Sequence, residues 1–409
     1  VSGFALEPMA KDRAENGPFL AILFLLAGMG LAILWSASCG FALSMNQTSD
    51  FFFVRQLRFL GVAFLGFIFL AFFPLEKLRA QIMPITIIGL LCLLLPFIPG
   101  LEDVRNSGNR WIKIAGQTLQ PSEFWKPISV FYLAHILDNR RENGPDGSSL
   151  NGGIPASACI LPFILTGLGC VIIFLQTDFS TAVICALIAL SLFWAAGAPV
   201  RFFIGTLAVG LPLGVLSVLT AKYRLERVLA FLVPDYAPHG KSYQILASMR
   251  AIRSGGFFGK GIGLGTLKIG SIPEVQSDFI FAAWAEELGF IGVLLFLALW
   301  GFLAWFAYRR AYRETDTFRS LLGFGLMTLL LLEVLINVAV VCGSVPATGI
   351  ALPLFSAGGS SIVASGCICG LLVNLSRGNE AGERKTAAKN DDAGMDAAFG
   401  AMGRGADNV

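Results

Sequence analysis

Uninterrupted apolar runs of about twenty residues recur along this chain, and a run of that length crosses a bilayer when it is helical. They fall at approximately 18–39, 53–73, 82–98, 121–138, 156–175, 179–196, 202–220, 279–307, 318–341 and 359–375. The runs are continuous rather than alternating, which argues against a transmembrane β-barrel. Only 14% of the residues are charged and the mean hydropathy is +0.72. A soluble domain carries roughly 25% charge, so this chain lacks the polar surface needed to face water. The expectation is an all-α, polytopic integral membrane protein of about ten transmembrane helices. A large extracytoplasmic loop, 221–278, separates the seventh and eighth spans.

Residues 1–17 read as a cytoplasmic segment, 18–376 as one transmembrane domain, and 377–409 as a tail. The tail is rich in Ala, Gly, Asn and charge, a composition expected to be disordered. No short apolar core precedes a small-residue cleavage site at the start, so no signal peptide is expected. Lys and Arg set the orientation. Lys11 and Arg13 precede the first span, Lys77 and Arg79 follow the second, Arg140 and Arg141 the fourth, and Arg309, Arg310, Arg313 and Arg319 surround the turn after the eighth. The alternate connections 40–52, 176–178 and 342–358 hold no Lys or Arg. Both termini are therefore expected on the cytoplasmic side of the inner membrane.

Several function classes drop out. A net charge of +3, scattered along the chain, does not suggest nucleic acid. The cysteines form no CxxC and no His/Cys cluster, and most lie in apolar runs where Cys packs as a small hydrophobe; a Cys39–Cys342 bridge is disfavoured. His135 and His239 are isolated, whereas a His-based metal site gathers three or four ligands. The run "GGFFGKGIGLG", 255–265, is not a phosphate loop: that pattern needs Gly at the position of Ser254 and Ser or Thr at that of Gly261. It reads instead as a tight extracellular segment whose Lys260, with Lys268 beyond it, is available to anions. The preceding "HGKSYQILASMRAIRSG" reads as an amphipathic helix able to rest on the membrane surface.

Four carboxylates crowd one threshold. In "SIPEVQSDFIFAAWAEELG", Glu274 and Asp278 stand ahead of an apolar run, and Glu286 and Glu287 lie inside it. Carboxylates in hydrocarbon are costly and mark function or pairing. At about 1.5 Å per residue, the two inner acids lie on the order of 12 Å beyond Asp278, too far to share a proton with it. They read as structural, each with a buried partner, whereas Glu274, four residues before Asp278, can share its face as a supporting group if that turn is helical. In "QPSEFWKP", Ser122 can cap a helix on which Glu123 and Lys126, three apart, share a face. A structural ion pair is the favoured reading of those two. Arg110 and Lys113, outside the span, are better placed for phosphate. Asp178 in "QTDFST" either caps a helix or faces the same external site as Asp278. The uncharged loop "GSVPATGIALPLFSAGGSS", 343–361, reads as a plug of the outer face or the wall of a substrate cavity.

Together, "GNRWIKIAGQTLQPSEFWK", "QTDFST", "GGFFGKGIGLGTLKIGSIPEVQSDFIFAAWAEELGFIG" and "GSVPATGIALPLFSAGGSS" resemble the signature loops of the SEDS family (shape, elongation, division and sporulation). They occur in the family's order over nearly all of 18–376. "YQILASMRAIRSGG" is similar to the division and sporulation members more than to the elongation member. The resemblance implies a peptidoglycan glycosyltransferase that polymerises lipid II into glycan strands at the outer face, for septal wall synthesis. It implies a class B penicillin-binding protein and other division proteins as partners, alongside membrane lipids, and a divalent cation, Mg2+ or Mn2+, as cofactor. The family's essential aspartate falls on Asp278, which is also the possible metal ligand. Gln120, Ser122, Glu123, Lys126 and Asp178 are candidate substrate contacts. So are Thr348, Ser360 and Ser361 in the uncharged loop, beside Arg110, Lys113, Lys260 and Lys268. Thr177, Ser180, Ser277 and Ala357 depart from the family pattern; none removes a carboxylate or a cation from this set. A lipid II flippase and a non-catalytic scaffold for the transpeptidase are the competing classes.

Overall fold

The computed structural model describes residues 16–102, 108–114, 116–142, 154–233, 241–266 and 275–377. Lys268, Glu274, His239 and the tail beyond Arg377 lie outside the described residues. Within them the chain is helical apart from one short hairpin and the connecting loops. α1 spans Asn16–Ser44, α2 Phe51–Phe72, α3 Leu75–Ala80 and α4 Ile82–Cys92. Strands β1 (Ile112–Ile114) and β2 (Gln117–Leu119) pair antiparallel, with Lys113 opposite Thr118. Then follow α5 (Pro121–Glu142), α6 (Ala156–Leu175), α7 (Phe179–Ala195), α8 (Val200–Thr220), α9 (Lys222–Leu232), α10 (Lys241–Gly255), α11 (Ile280–Arg313) and α12 (Thr317–Val341). A last helix, α13, covers Gly359–Arg377.

Seven of these helices are long and apolar enough to cross a membrane: α1, α2, α6, α8, α11, α12 and α13. α4 and α7 are apolar but shorter. α5 carries charges inside the bundle, which is why a hydropathy criterion passes over it. Helices thus stand at every stretch where the sequence placed a span. α11, α12, α5 and α7 form the centre, around buried Trp300, Phe296, Phe318, Phe193 and Tyr132. α8 is the opposite case, with none of its residues buried against the protein. A helix apolar all round is stable there only with lipid around it.

The described parts of the segment read as a large outer loop hold two helices, α9 and α10, and the apolar face of α10 packs on the protein. Ile245, Ala247 and Ala251 are buried, α10 packs along α11, and Ser248 Oγ donates to Val341 O at 2.9 Å. The glycine run after it lies against a break in α11. Lys260 N donates to Glu286 O (3.1 Å) and Gly261 N to Glu287 O (2.9 Å), while Phe290 N donates back to Gly256 O (3.0 Å). The break is at Gly289, with φ 64° and ψ −162°. Only glycine tolerates that backbone. A Cβ there would also stand 2.8 Å from Phe257 O.

Glu286 and Glu287, both fully buried, are held by this insertion. Glu286 accepts from Lys260 Nζ (2.7 Å) and Thr266 N (2.9 Å). Glu287 accepts from Ser36 Oγ on α1 (2.7 Å) and Gly263 N (2.9 Å). Their structural reading therefore stands, and Lys260 serves it: its ammonium is committed to a buried carboxylate rather than offered to an anion outside. Replacement of Gly289 by Ala is expected to cost about 1–3 kcal/mol from the backbone alone. Thermal unfolding in detergent reads this as a lowered midpoint, with Ser36→Ala as a milder control.

Candidate active site

The hairpin, the start of α5, the start of α7 and the turn before α11 converge at one end of the bundle. Asp178 caps α7 by accepting from Thr181 N at 3.3 Å. The same carboxylate accepts from Gln120 Nε2 at 2.8 Å and faces Arg110 Nη1 at 3.8 Å. Both readings of Asp178, helix cap and site member, are satisfied by one side chain. Thr177 just before it takes φ 63°, a conformation that costs a non-glycine residue energy. Gln120 also donates to Ser122 Oγ (3.0 Å), and its backbone N donates to Ser360 Oγ (2.9 Å). Three residues singled out in sequence, on α5, α7 and α13, are thus joined through Gln120.

Asp278 sits in the turn 275–279 immediately before α11. The uncharged loop 343–358 holds that turn. Ser356 Oγ donates to Ser277 O (2.5 Å) and Ala357 N to Gln276 O (2.8 Å). Asn337 Nδ2 on α12 bridges Asp278 O (3.0 Å) and Ile350 O (2.8 Å). Gln56 Nε2 on α2 fixes the loop from the other side through Ser356 O at 2.9 Å. The Asp278 carboxylate and the Arg110 guanidinium both border the space over Gly349: a Cβ there would lie 3.5 Å from Asp278 Oδ2 and 3.7 Å from Arg110 Nη1. Arg110 Nε and Thr348 Oγ1 are buried without a hydrogen-bond partner among the described residues. Buried polar atoms are rarely left so, and these two border the same space.

Deeper in the bundle, Lys126 Nζ donates to Glu123 Oε1 at 3.0 Å and to Glu333 Oε1 on α12. All three side chains are buried. The sequence pairs Glu123 with Lys126 but does not supply Glu333. A lone acid in the apolar run of α12 is the signal that marks it. Glu333 and Asn337, four apart, share one face of α12. That face thus holds both the ion cluster and the Asp278 backbone. Asn337, Gln56 and Arg227, whose Nη1 reaches Ala347 O at 3.3 Å, are further site supports absent from the sequence reading. Ser361 is buried beside Ser360. Lys113 lies on the exposed side of the hairpin, away from Arg110.

No group of three His, Cys, Asp or Glu that could hold a metal exists among the described residues. A hard cation such as Mg2+ needs only one or two protein carboxylates when substrate phosphates and water complete its shell. Asp278 fits that limited role; an all-protein cage does not form here.

Comparison with known proteins agrees with this architecture. Residues 18–381 match the family model described as "Cell cycle protein", that of FtsW, RodA and SpoVE. The chain is 33% identical to a probable peptidoglycan glycosyltransferase FtsW of Borreliella burgdorferi over 88% of its length and 96% of that protein. It is 35% identical to the stage V sporulation protein E of Bacillus subtilis, covering 90% and 98% respectively. Its fold matches a chain solved under the heading of structural coordination of polymerization and crosslinking by a peptidoglycan synthase complex, with TM-score 0.71, 25% identity, and 89% and 98% coverage. It also matches Thermus thermophilus RodA, at TM-score 0.64, 24% identity, and 89% and 97% coverage. These are polytopic membrane proteins of one architecture, and the chain belongs to the FtsW/RodA/SpoVE family, the SEDS family.

Lys126→Met leaves two buried carboxylates facing each other without a cation. Breaking a buried pair in this way costs about 3–5 kcal/mol. Thermal unfolding is expected to show that loss, and Lys126→Met combined with Glu333→Leu to recover part of it.

Proposed function

We propose that this protein is a peptidoglycan glycosyltransferase that polymerises lipid II at the outer face of the cytoplasmic membrane, for septal wall synthesis. The observation that carries the reading is that a carboxylate and a guanidinium, Asp278 and Arg110, both border the space over Gly349, which has no side chain to fill it. Glycosyl transfer from a lipid pyrophosphate has two needs. The attacking hydroxyl must lose its proton, and the leaving pyrophosphate must have its charge neutralised. In this reading Asp278 serves the first and Arg110 the second. The relatives' names, probable peptidoglycan glycosyltransferase FtsW among them, support the activity, and the polyprenyl tail explains why the site is built at the end of membrane helices.

In this mechanism the 4-hydroxyl of an acceptor GlcNAc attacks the anomeric carbon of a MurNAc. The bond from that carbon to pyrophosphate breaks, the oxygen leaves with the electron pair, and the hydroxyl proton passes to the Asp278 carboxylate. Arg110, held at 3.8 Å by Asp178, presents its charge to the departing phosphate. Gln120 and Asp178 keep the guanidinium oriented, and Thr348 Oγ1 is a hydrogen-bonding group for the sugar-phosphate. A divalent cation held by Asp278, with Glu274 as a second carboxylate, would add charge neutralisation at the pyrophosphate. The reading includes ten crossings with both termini cytoplasmic, an orientation supported by the Lys and Arg of the short connections, and in it this end of the bundle lies outside. A class B penicillin-binding protein is the expected partner; a peptidoglycan synthase complex that joins polymerization to crosslinking is among the solved structures of the same fold.

The competing class, a lipid-linked substrate transporter, requires polar groups along the whole crossing. Buried charges among the described residues are instead locked in separate pairings, Lys126 with Glu123 and Glu333, Lys260 with Glu286, and Arg79 with Asp138. Purified protein supplied with lipid II, its partner and Mg2+ or Mn2+ is expected to yield glycan chains. Asp278→Asn is expected to abolish them while the protein remains folded. Full polymerisation by that variant rejects the role of Asp278, and movement of lipid II across vesicles without polymer favours transport. Gly349→Val, which fills the space between the two groups, is expected to lower the rate about tenfold or more, a barrier increase of roughly 1.4 kcal/mol, with little change in unfolding midpoint.

A further inference from the structure

The two cations that the sequence offered together, Arg110 and Lys113, stand on different sides of the hairpin. Arg110 faces Asp178 at 3.8 Å and borders the space over Gly349 that Asp278 also borders. Lys113 instead lines a cleft of about 450 Å³ between the hairpin and the first turns of α2, together with Arg55, Arg58, Asp50, Thr48 and Thr118. Three cations against one carboxylate give it a net positive lining. Arg and Lys are the side chains that recognise phosphate. The cleft is tied to the candidate active site through both of its walls. On the hairpin side, Thr118 lies two residues before Gln120. On the α2 side, Gln56 holds Ser356 O, and the Phe59 ring packs where a side chain on Gly359 would stand.

Below the cleft α2 presents an exposed apolar stripe. Starting at exposed Arg58, the positions Val62, Leu65, Phe69 and Phe72 follow at spacings of four, three, four and three. They are 53%, 68%, 60% and 66% exposed. That spacing is a single helical stripe, about 21 Å long at 1.5 Å per residue. A phosphate-binding cleft capping a lipid-facing apolar stripe matches an amphiphile with an anionic head and a long hydrocarbon chain. Free phosphate has no use for the stripe, and acyl chains alone have none for the cations.

We propose that this cleft is a second pyrophosphate subsite, which holds a polyprenyl-pyrophosphate-linked saccharide with its chain along α2. The inference rests on the glycosyltransferase reading for its ligand. When one lipid-linked saccharide is transferred to another, both carry a pyrophosphate at the moment of reaction. One leaves, and the other remains on the product. A single guanidinium at the Asp278 site serves the leaving group. The second pyrophosphate needs its own anchor at the same end of the bundle, and Arg55, Arg58 and Lys113 provide it.

The test uses the full-length protein in nanodiscs of neutral phosphatidylcholine and a polyprenyl pyrophosphate with a photoreactive group on its chain. Crosslinks are mapped by mass spectrometry. They are expected on α2 between Val62 and Phe72, to fall about tenfold in the Arg58→Ala, Lys113→Ala double variant (a loss of roughly 1.4 kcal/mol of binding), and to persist in Asp278→Asn. Equal labelling of α2 in the double variant overturns the proposal. So does equal labelling by phosphatidylglycerol carrying the same group, which makes the cleft a site for bulk anionic lipid. Complete competition by equimolar inorganic pyrophosphate overturns the role of the stripe. In polymerisation assays the double variant is expected to raise KM for lipid II with kcat nearly unchanged. Crosslinking as expected with no polymer from the parent protein rejects the glycosyltransferase reading while leaving the subsite in place.

Discussion

The ammonium of Lys126 is the interaction on which the rest of the site depends. A charge in a bilayer interior survives only when paired, and this one is shared by Glu123 on its own helix and Glu333 on α12. The pairing locks α5 to α12. Those two helices carry the groups that fix the functional end: Gln120 just ahead of α5, and Asn337 one turn beyond Glu333. Asn337 in turn holds the backbone of Asp278. The position of the proposed base is thus set by a buried ion cluster that does not itself contact it.

A second buried pairing does comparable work on the other side of α11. Glu286 and Glu287 need partners in a region where α11 is unwound at Gly289, and the inserted glycine run supplies them from Lys260, Thr266 and Gly263. The run is glycine-rich because its backbone lies directly on that of α11; a Cβ on Gly259 would collide with the Glu287 carbonyl. Carboxylates deep in the bundle therefore organise the fold, whereas the proposed chemistry is assigned to one at its end.

Much of this was legible in the sequence, because bilayer thickness imposes a length on every span and makes each intramembrane charge conspicuous. The helix positions, the separation of Asp278 from Glu286 and Glu287 along the chain, and a helix cap as one of two readings of Asp178 could all be read from the sequence. Three features could not. Glu333 pairs with Lys126 across 207 positions, and nothing local announces such a contact. The inward fold of 255–266 depends on a helix break at Gly289 that a continuous apolar run conceals. Arg110 and Lys113 fall on different sides because the chain there is extended, where a step of three reverses the side-chain direction; the sequence reading grouped them without knowing that the loop forms a strand.

The central claim is that Arg110, Asp178 and Asp278, drawn from three separate parts of the chain, act as one catalytic unit. Polymerisation rates of Arg110→Gln, Asp178→Asn and the double variant test it most directly. Residues that act as a unit are strongly non-additive, so the double variant is expected to be little slower than the more damaging single one. Losses that multiply would show that Arg110 and Asp178 contribute independently, and would contradict the account.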